Sequence, residues 1–303
     1  VDVYCFGHVS TGRILRLRDA FPAADGYAEV VEDLENHSGE ATGSALVLAQ
    51  LGLQVRLEGN WIGDNEPCRR TLAFLGARGI DVSGLRVERG YAGVQEMVVA
   101  DGHTRTVFGR YCDLLFTARQ WDMPSVDRVR GAKYAIVDPA FGEATLVVAC
   151  CAAGLGIPLA TCDTAPDGEL ARLSSILVIS NEYLRREFPG TEHPGEAREA
   201  LFRRYLDACP GLVVFTSGSG TVRFGRAGKD LGGMEPFHVK VVDSAGAGDS
   251  FRGGLVWAAM RGMEDRDAVR FASAVAGLVC TTTPGCLHPP TRTQVEALLA
   301  GAA

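Results

Sequence analysis

The chain has 303 residues, 47% of them hydrophobic and 22% charged, and carries a net charge of −7. That is the make-up of a globular chain with ample core, one large or two modest domains by length, and its lack of any Lys/Arg run excludes the electrostatic footprint of a nucleic-acid partner. Its nine cysteines, odd in number and without a Cys-x-x-Cys pair, read as small buried hydrophobes in a reducing cytoplasm rather than as a disulfide framework.

Residues 1–6 form a first strand ending at Gly7, in place of a basic, then apolar, secretory segment. Residues 13–36 mix Arg13, Arg16 and Arg18 with an acidic run from Glu29 to Glu35 and only short apolar pieces, and taken alone read as a solvated loop. His37 to Gly52 predicts a helix that Gly52 ends. After a strand over 54–59, Asp64 stands as the N-cap of a helix that runs through Leu72 and Leu75 to Gly79. Val94–Ala100 and Thr104–Phe108 are strands joined at Asp101-Gly102, a hairpin signal. Arg105 and Arg110 ride on this hairpin, where an arginine is either simply solvated or turned to a substrate.

From Lys133 the alternation is regular, with strands over 134–138, 157–162 and 176–180, the first two spaced by a helix to Gly154 and the last two by a short acidic turn. This predicts a mostly parallel sheet covered on both faces, with ligands beyond the strand C-termini, where Asp163 and Asn181 fall. The uncharged stretch Ala144–Cys162 is long enough to raise a membrane span, but Gly154, Gly156 and Pro158 cut it into helix, turn and strand. Leu212–Thr216 and Val222–Gly225 are strands around a turn containing Gly218 and Gly220, and Thr291 with Gln294 has the spacing of a capping box. No internal repeat or low-complexity linker interrupts the chain.

The most informative stretch is Val241 to Phe251. His238–Val242 alternates as a strand, and Phe251, Leu255, Ala258 and Ala259 recur at helical spacing, so the intervening glycine turn opens onto a helix N-terminus. Such an end attracts phosphate oxygens through its unpaired N–H groups and dipole, and Gly246 and Gly248 let backbone approach closely. Asp249 is either a first-turn acid favoured by the dipole or a group that handles a proton beside the bound phosphate. The second role points to phosphoryl transfer.

Asp243-Ser-Ala-Gly-Ala-Gly-Asp249 resembles the Asp-Thr-x-Gly-Ala-Gly-Asp motif of the PfkB-type carbohydrate kinases of the ribokinase superfamily. The resemblance spans nearly the whole chain and implies a single α/β domain over 1–303: a doubly wound, mostly parallel central sheet flanked by helices, with a small β lid from about 13–36 and 91–109. It makes Asp249 the proton acceptor and Gly246, Ala247 and Gly248 the cradle for the transferring phosphoryl group. It places nucleotide at Asn181, Thr216, Gly218, Gly220, Ser244 and Gly285, although Gly220 falls one place early in the Thr-x-Gly-x-x-Gly pattern. It also implies ATP with Mg²⁺, organised through water at Asn181 with Glu182, since Leu184 stands where the family has glutamate, and a monovalent cation such as K⁺ near Asp243. A homodimer paired through the lid is implied as well.

On the acceptor side the resemblance implies Gly39, Glu40 and Arg105, yet Gly12 and Gly43 stand where the family has a sugar-binding aspartate and asparagine. The expected activity is transfer of the γ-phosphoryl group of ATP to a hydroxyl, a primary alcohol foremost, of a sugar or sugar-like molecule. A nucleoside kinase of the same family is the alternative, and Gly12 and Gly43 would give a bulky acceptor room. A non-catalytic sugar- or nucleotide-sensing module is a third reading, opposed by the retention of Asp249. A nicotinamide dehydrogenase is disfavoured because Phe251 occupies the third glycine position of Gly-x-Gly-x-x-Gly.

Overall fold

The computed structural model describes residues 1–101, 104–112 and 117–301. In chain order the first half comprises β1 (Val3–Gly7), β2 (Ser10–Leu17), β3 (Val30–Ser38), α1 (Glu40–Gln50), β4 (Val55–Gly59), β5 (Ile62–Gly63), α2 (Glu66–Ala77), β6 (Ile80–Asp81), β7 (Val87–Glu88), β8 (Gln95–Ala100), β9 (Arg105–Arg110) and α3 (Val126–Val129). The second half alternates more regularly. It runs through β10 (Tyr134–Val137), α4 (Glu143–Gly154), β11 (Leu159–Cys162), α5 (Glu169–Leu173), β12 (Ile176–Ile179), α6 (Asn181–Glu187), α7 (Glu196–Ala208), β13 (Leu212–Ser217), β14 (Gly220–Gly225), β15 (Gly232–Met234), α8 (Ala247–Met260), α9 (Asp265–Val279) and α10 (Arg292–Gly301).

Nine strands build the central sheet in the order β15-β14-β13-β12-β11-β10-β1-β4-β6, parallel from β13 to β6 and antiparallel only where β14 and β15 extend it. Period-2 alternation sends Val3 and Cys5 to the face covered by α1, α8 and α9, and Tyr4 and Phe6 to the face covered by α4. Because β1 pairs β4 on one side and β10 on the other, the strand order reverses beside β1. A crevice opens there, beyond the strand C-termini.

A second sheet, β3-β2-β8-β9, stands apart from the first. Residues 13–36 are therefore not a continuous loop: β2 and β3 flank the connection between them. His37 and Ser38, expected in a helix, close β3, and α1 starts after Gly39. Register pairs Ala100 with Arg105, and the Asp101 amide donates to the Thr104 carbonyl; Gly102 of the expected turn lies outside the described residues.

Two further expectations change. Asp64 is not the cap of α2: Asn65 is, its side chain accepting from the Cys68 amide, while Asp64 receives the Gly90 amide. His238–Val242 forms no strand, because β15 is already the sheet edge and the Val242 and Asp243 amides bond to the Cys280 carbonyl at the end of α9. Backbone groups need partners, and here a helix end supplies them. The Thr291–Gln294 capping box is present, the Thr291 amide donating to Gln294 Oε1 and the Gln294 amide to Thr291 Oγ1.

Candidate active site

A cleft of about 400 Å³ lies between the crevice and the second sheet. Its floor is Gly39, Glu40 and Gly43 from the start of α1 together with Ala245, Gly246 and Asp249 from the start of α8. Its walls come from Glu96 and Val98 of β8 and Arg105 and Val107 of β9, same-face residues of paired strands, with His8, Tyr111 and Phe141 closing the far end.

Asp249 sits in the first turn of α8. Gly246 precedes it as N-cap with φ 71°, a left-handed conformation that glycine adopts without strain, and a Cβ there would lie 2.5 Å from the Cys286 Cβ. Positive φ is thus required at Gly246 and not at Gly248, which continues the helix with open space where a Cβ would point. The Ala247 amide donates to the Ser244 carbonyl at 3.3 Å, and the Gly248 and Asp249 amides that follow have no intrahelical acceptor and lie at the positive end of the dipole.

Burial drives the Asp249 carboxyl up to about 7; Arg252 opposes the shift, Asp138 adds to it and Arg105 opposes it again. The Glu40 carboxyl is also raised, first by desolvation and then by the charges of Asp138 and Asp249. Two acids whose ionisation opposes each other therefore share one floor.

Arg252, one helical turn beyond Asp249, is the principal residue that sequence reading missed. Its guanidinium is 1% exposed and forms a buried ion pair at 2.8 Å with Asp138, just past β10. It also donates to Ser44 Oγ at 3.1 Å and to Cys162 Sγ at 2.9 Å. The other Asp138 oxygen accepts the His8 and Ala41 amides, so one carboxylate joins β1, β10, α1 and α8. The i,i+3 spacing from Asp249 and the strand-end position of Asp138 were the available signals.

Gly12 is not in this cleft. It lies in β2 opposite Glu96, where a Cβ would fall 1.9 Å from the Glu96 carbonyl oxygen. The Glu96 carboxylate points into the cleft instead, accepting from Asn36 Nδ2 at 2.6 Å and from the Ser38 and Tyr111 hydroxyls. The missing aspartate and asparagine have therefore not stripped the cleft of polar groups: Glu96 of β8 and Glu40 of α1 supply carboxylates. Arg105 makes no ion pair among the described residues. Arg13, by contrast, is paired with Asp33 on the exposed face.

Asn181 opens α6, and Thr216, Gly218 and Gly220 lie in and around the β13–β14 turn. Ser217 pairs with Gly220, and Gly218 has φ 60°, so locally this is a tight hairpin. Asn181 does not cap α6; Ser180 does, accepting from the Tyr183 amide, while Asp163 accepts both the Ser180 amide and hydroxyl.

Around the position expected to organise Mg²⁺ through water the side chains depart from the family's pattern. Glu182 is exposed, Leu184 is buried in the core, and the Asn181 oxygen is taken by Arg198. The Glu40–Asp138–Cys162 group has ligand spacing, but Arg252 already occupies Asp138 and touches the thiol, and a thiol suits Mg²⁺ poorly. Asp243 gives its oxygens to the Ala245 amide and the Thr283 hydroxyl, stitching the turn to the loop that holds Gly285. Ser244 is exposed beside that turn.

Residues 2–292 match the family model described as pfkB family carbohydrate kinase. The chain belongs to the PfkB family of carbohydrate kinases, and with that family it is a phosphotransferase with ATP as donor and an alcohol group as acceptor. It is 27% identical to an ATP-dependent ribose-1-phosphate kinase of Halopiger xanaduensis, over 99% of this chain and 98% of that one. It is likewise 27% identical to a nucleoside kinase of Methanothermobacter thermautotrophicus, over 92% and 89%. The Arabidopsis thaliana ribokinase complexed with ribose and ATP shares its fold with a TM-score of 0.79 at 18% identity, over 98% of each chain.

Proposed function

We propose that the cleft binds the acceptor with its reacting hydroxyl at Asp249 and that the phosphates of ATP lie against the α8 start. The observation that carries this reading is the placement of Asp249, its carboxyl facing the cleft while its own helix turn presents the phosphate-binding amides. An alcohol is a far weaker acid than a carboxylic acid, so Asp249 orients the hydroxyl and takes its proton late in the transfer. The amides around Gly246, Ala247 and Gly248 stabilise charge on the transferring group. Mg²⁺ on the ATP phosphates would neutralise charge that builds up during the transfer, and a monovalent cation such as K⁺ would sit near Asp243. ATP-dependent phosphorylation across a panel of free sugars, sugar phosphates and nucleosides tests the proposal, and absence of turnover with every acceptor would favour the sensing module.

A nucleoside acceptor is the second reading. It is supported by the apolar and aromatic wall of Leu46, Val98, Val107, Tyr111 and Phe141, which suits a base better than a polyol. Arg105, which makes no ion pair among the described residues, supports a phosphate-bearing sugar instead. The second sheet acts in this reading as a lid, and the exposed Phe108 of β9 with Val30 and Val31 of β3 support its pairing with a second copy. Nine cysteines that are all free support a reducing cytoplasm, and among the described residues no helix is long and apolar enough to cross a membrane.

A further inference from the structure

Arg198 of α7 is 8% exposed, and every acceptor it meets is neutral. Nη1 donates to Asn181 Oδ1 and to the Thr191 carbonyl, each at 2.9 Å, and Nη2 donates to Ser217 Oγ at 2.7 Å. Its guanidinium carbon lies 5.3 Å from the Phe215 ring centroid, and no carboxylate forms an ion pair with it among the described residues. A buried cation without a counter-ion is costly unless an anion docks nearby. Burial accordingly lowers its proton affinity, opposed by the charge of Glu192, which forms no salt bridge with it.

The geometry also sets the direction of an amide. A guanidinium is a donor only, so the Asn181 atom it meets is the oxygen, and the Asn181 NH₂ is turned away from it. Asn181 lies beyond the end of β12 and Ser217 ends β13, so one side chain ties together the two segments proposed to line the nucleotide.

We propose that Arg198 is a positioning residue of the nucleotide site: it clamps the start of α6 to the β13–β14 turn, presents Asn181 as a donor to phosphate oxygens, and adds a buried positive charge behind them. This rests on the nucleotide reading above. It makes Asn181 a phosphate donor rather than an acceptor for a metal-bound water, in keeping with Leu184 at the position of the family's glutamate.

Calorimetric titration with ADP, once in EDTA and once in excess Mg²⁺, tests the inference on the wild-type chain, Arg198→Met, Arg198→Lys and Asn181→Asp. Arg198→Met should weaken ADP at least tenfold in both buffers, and Arg198→Lys should recover part of that loss because it restores the charge without the fork. Asn181→Asp should weaken ADP in both buffers, since a carboxylate has no N–H to offer. Arg198→Met binding within twofold of wild type would overturn the proposal, and so would Asn181→Asp binding ADP more tightly than wild type in Mg²⁺. If Arg198→Met does not fold, Asn181→Asp decides, because it leaves the guanidinium paired. A wild-type chain that binds no ADP would instead overturn the nucleotide reading on which the proposal rests.

Discussion

The Cβ that Gly43 lacks would lie 2.7 Å from the Cβ of Asp249. The start of α1 and the start of α8 pack so closely that the residue facing Asp249 has to be glycine, and Ser44 Oγ fastens the contact by donating to the Asp249 carbonyl at 2.9 Å. Restoring the family's asparagine should therefore harm this chain. Gly43→Asn is expected to destabilise it by about 1–3 kcal/mol through overpacking and to lower turnover by displacing Asp249. Urea denaturation and steady-state kinetics check both effects, and unchanged stability would show that the helices yield.

Asp249→Asn keeps the shape of the site and removes the proton acceptor. Turnover should fall by about 10²–10⁴ while nucleotide affinity stays within a few-fold; a variant retaining over half of the wild-type kcat contradicts the assignment. With the carboxyl carried up to about 7, wild-type kcat/KM should rise with pH through that value as the base ionises. The same shift has a stability consequence. The folded chain holds a proton that the unfolded carboxyl, at its ordinary 3.8, releases, so this contribution is full below about 4 and is lost as pH rises through about 7. The melting temperature of Asp249→Asn relative to wild type should therefore be higher at pH 8 than at pH 4.

Gly246 and Gly248 should respond differently. Gly246→Ala places a Cβ at positive φ and against Cys286, so a loss of about 1–3 kcal/mol is expected. Gly248→Val has open space and an ordinary φ in the free chain, so its damage should appear chiefly in affinity for a non-hydrolysable ATP analogue. Equal melting losses in the two variants would contradict this split.

Arg252→Met leaves Asp138 charged and buried without its partner, which should cost about 3–5 kcal/mol. Adding Asp138→Asn removes the orphaned charge and should recover part of the loss. Chemical denaturation of the single and double variants checks the pair, and a single-variant loss under 1 kcal/mol would mean that it contributes little.

Free ribose and fructose should be poor acceptors. Gly12 lies outside the cleft, the usual asparagine is absent at Gly43, and Glu96 is already engaged by Asn36, Ser38 and Tyr111. Unpaired hydroxyls cost about 1–3 kcal/mol each, so nucleosides or substituted sugars that reach Arg105 or the aromatic wall should show higher kcat/KM. A panel in which ribose or fructose ranks first refutes this.

Sequence alone determined what depends on neighbours along the chain. The strand and helix alternation after Lys133 and the glycine turn before Asp249 follow from period, propensity and backbone sterics, which act over a few residues. Strand-end logic reached Asn181 for the same reason and would have reached Asp138. Tertiary structure alone decided what depends on distant pairing. His238–Val242 has a strand's pattern but no free sheet edge to join, so its amides turn to Cys280. The face of β8 that carries Glu96 became the cleft wall only because β2 set its register. Arg252 and Asp138, distant in sequence, meet because the close approach of α1 to α8 places a guanidinium at the end of β10, where a buried carboxylate needs a counter-charge.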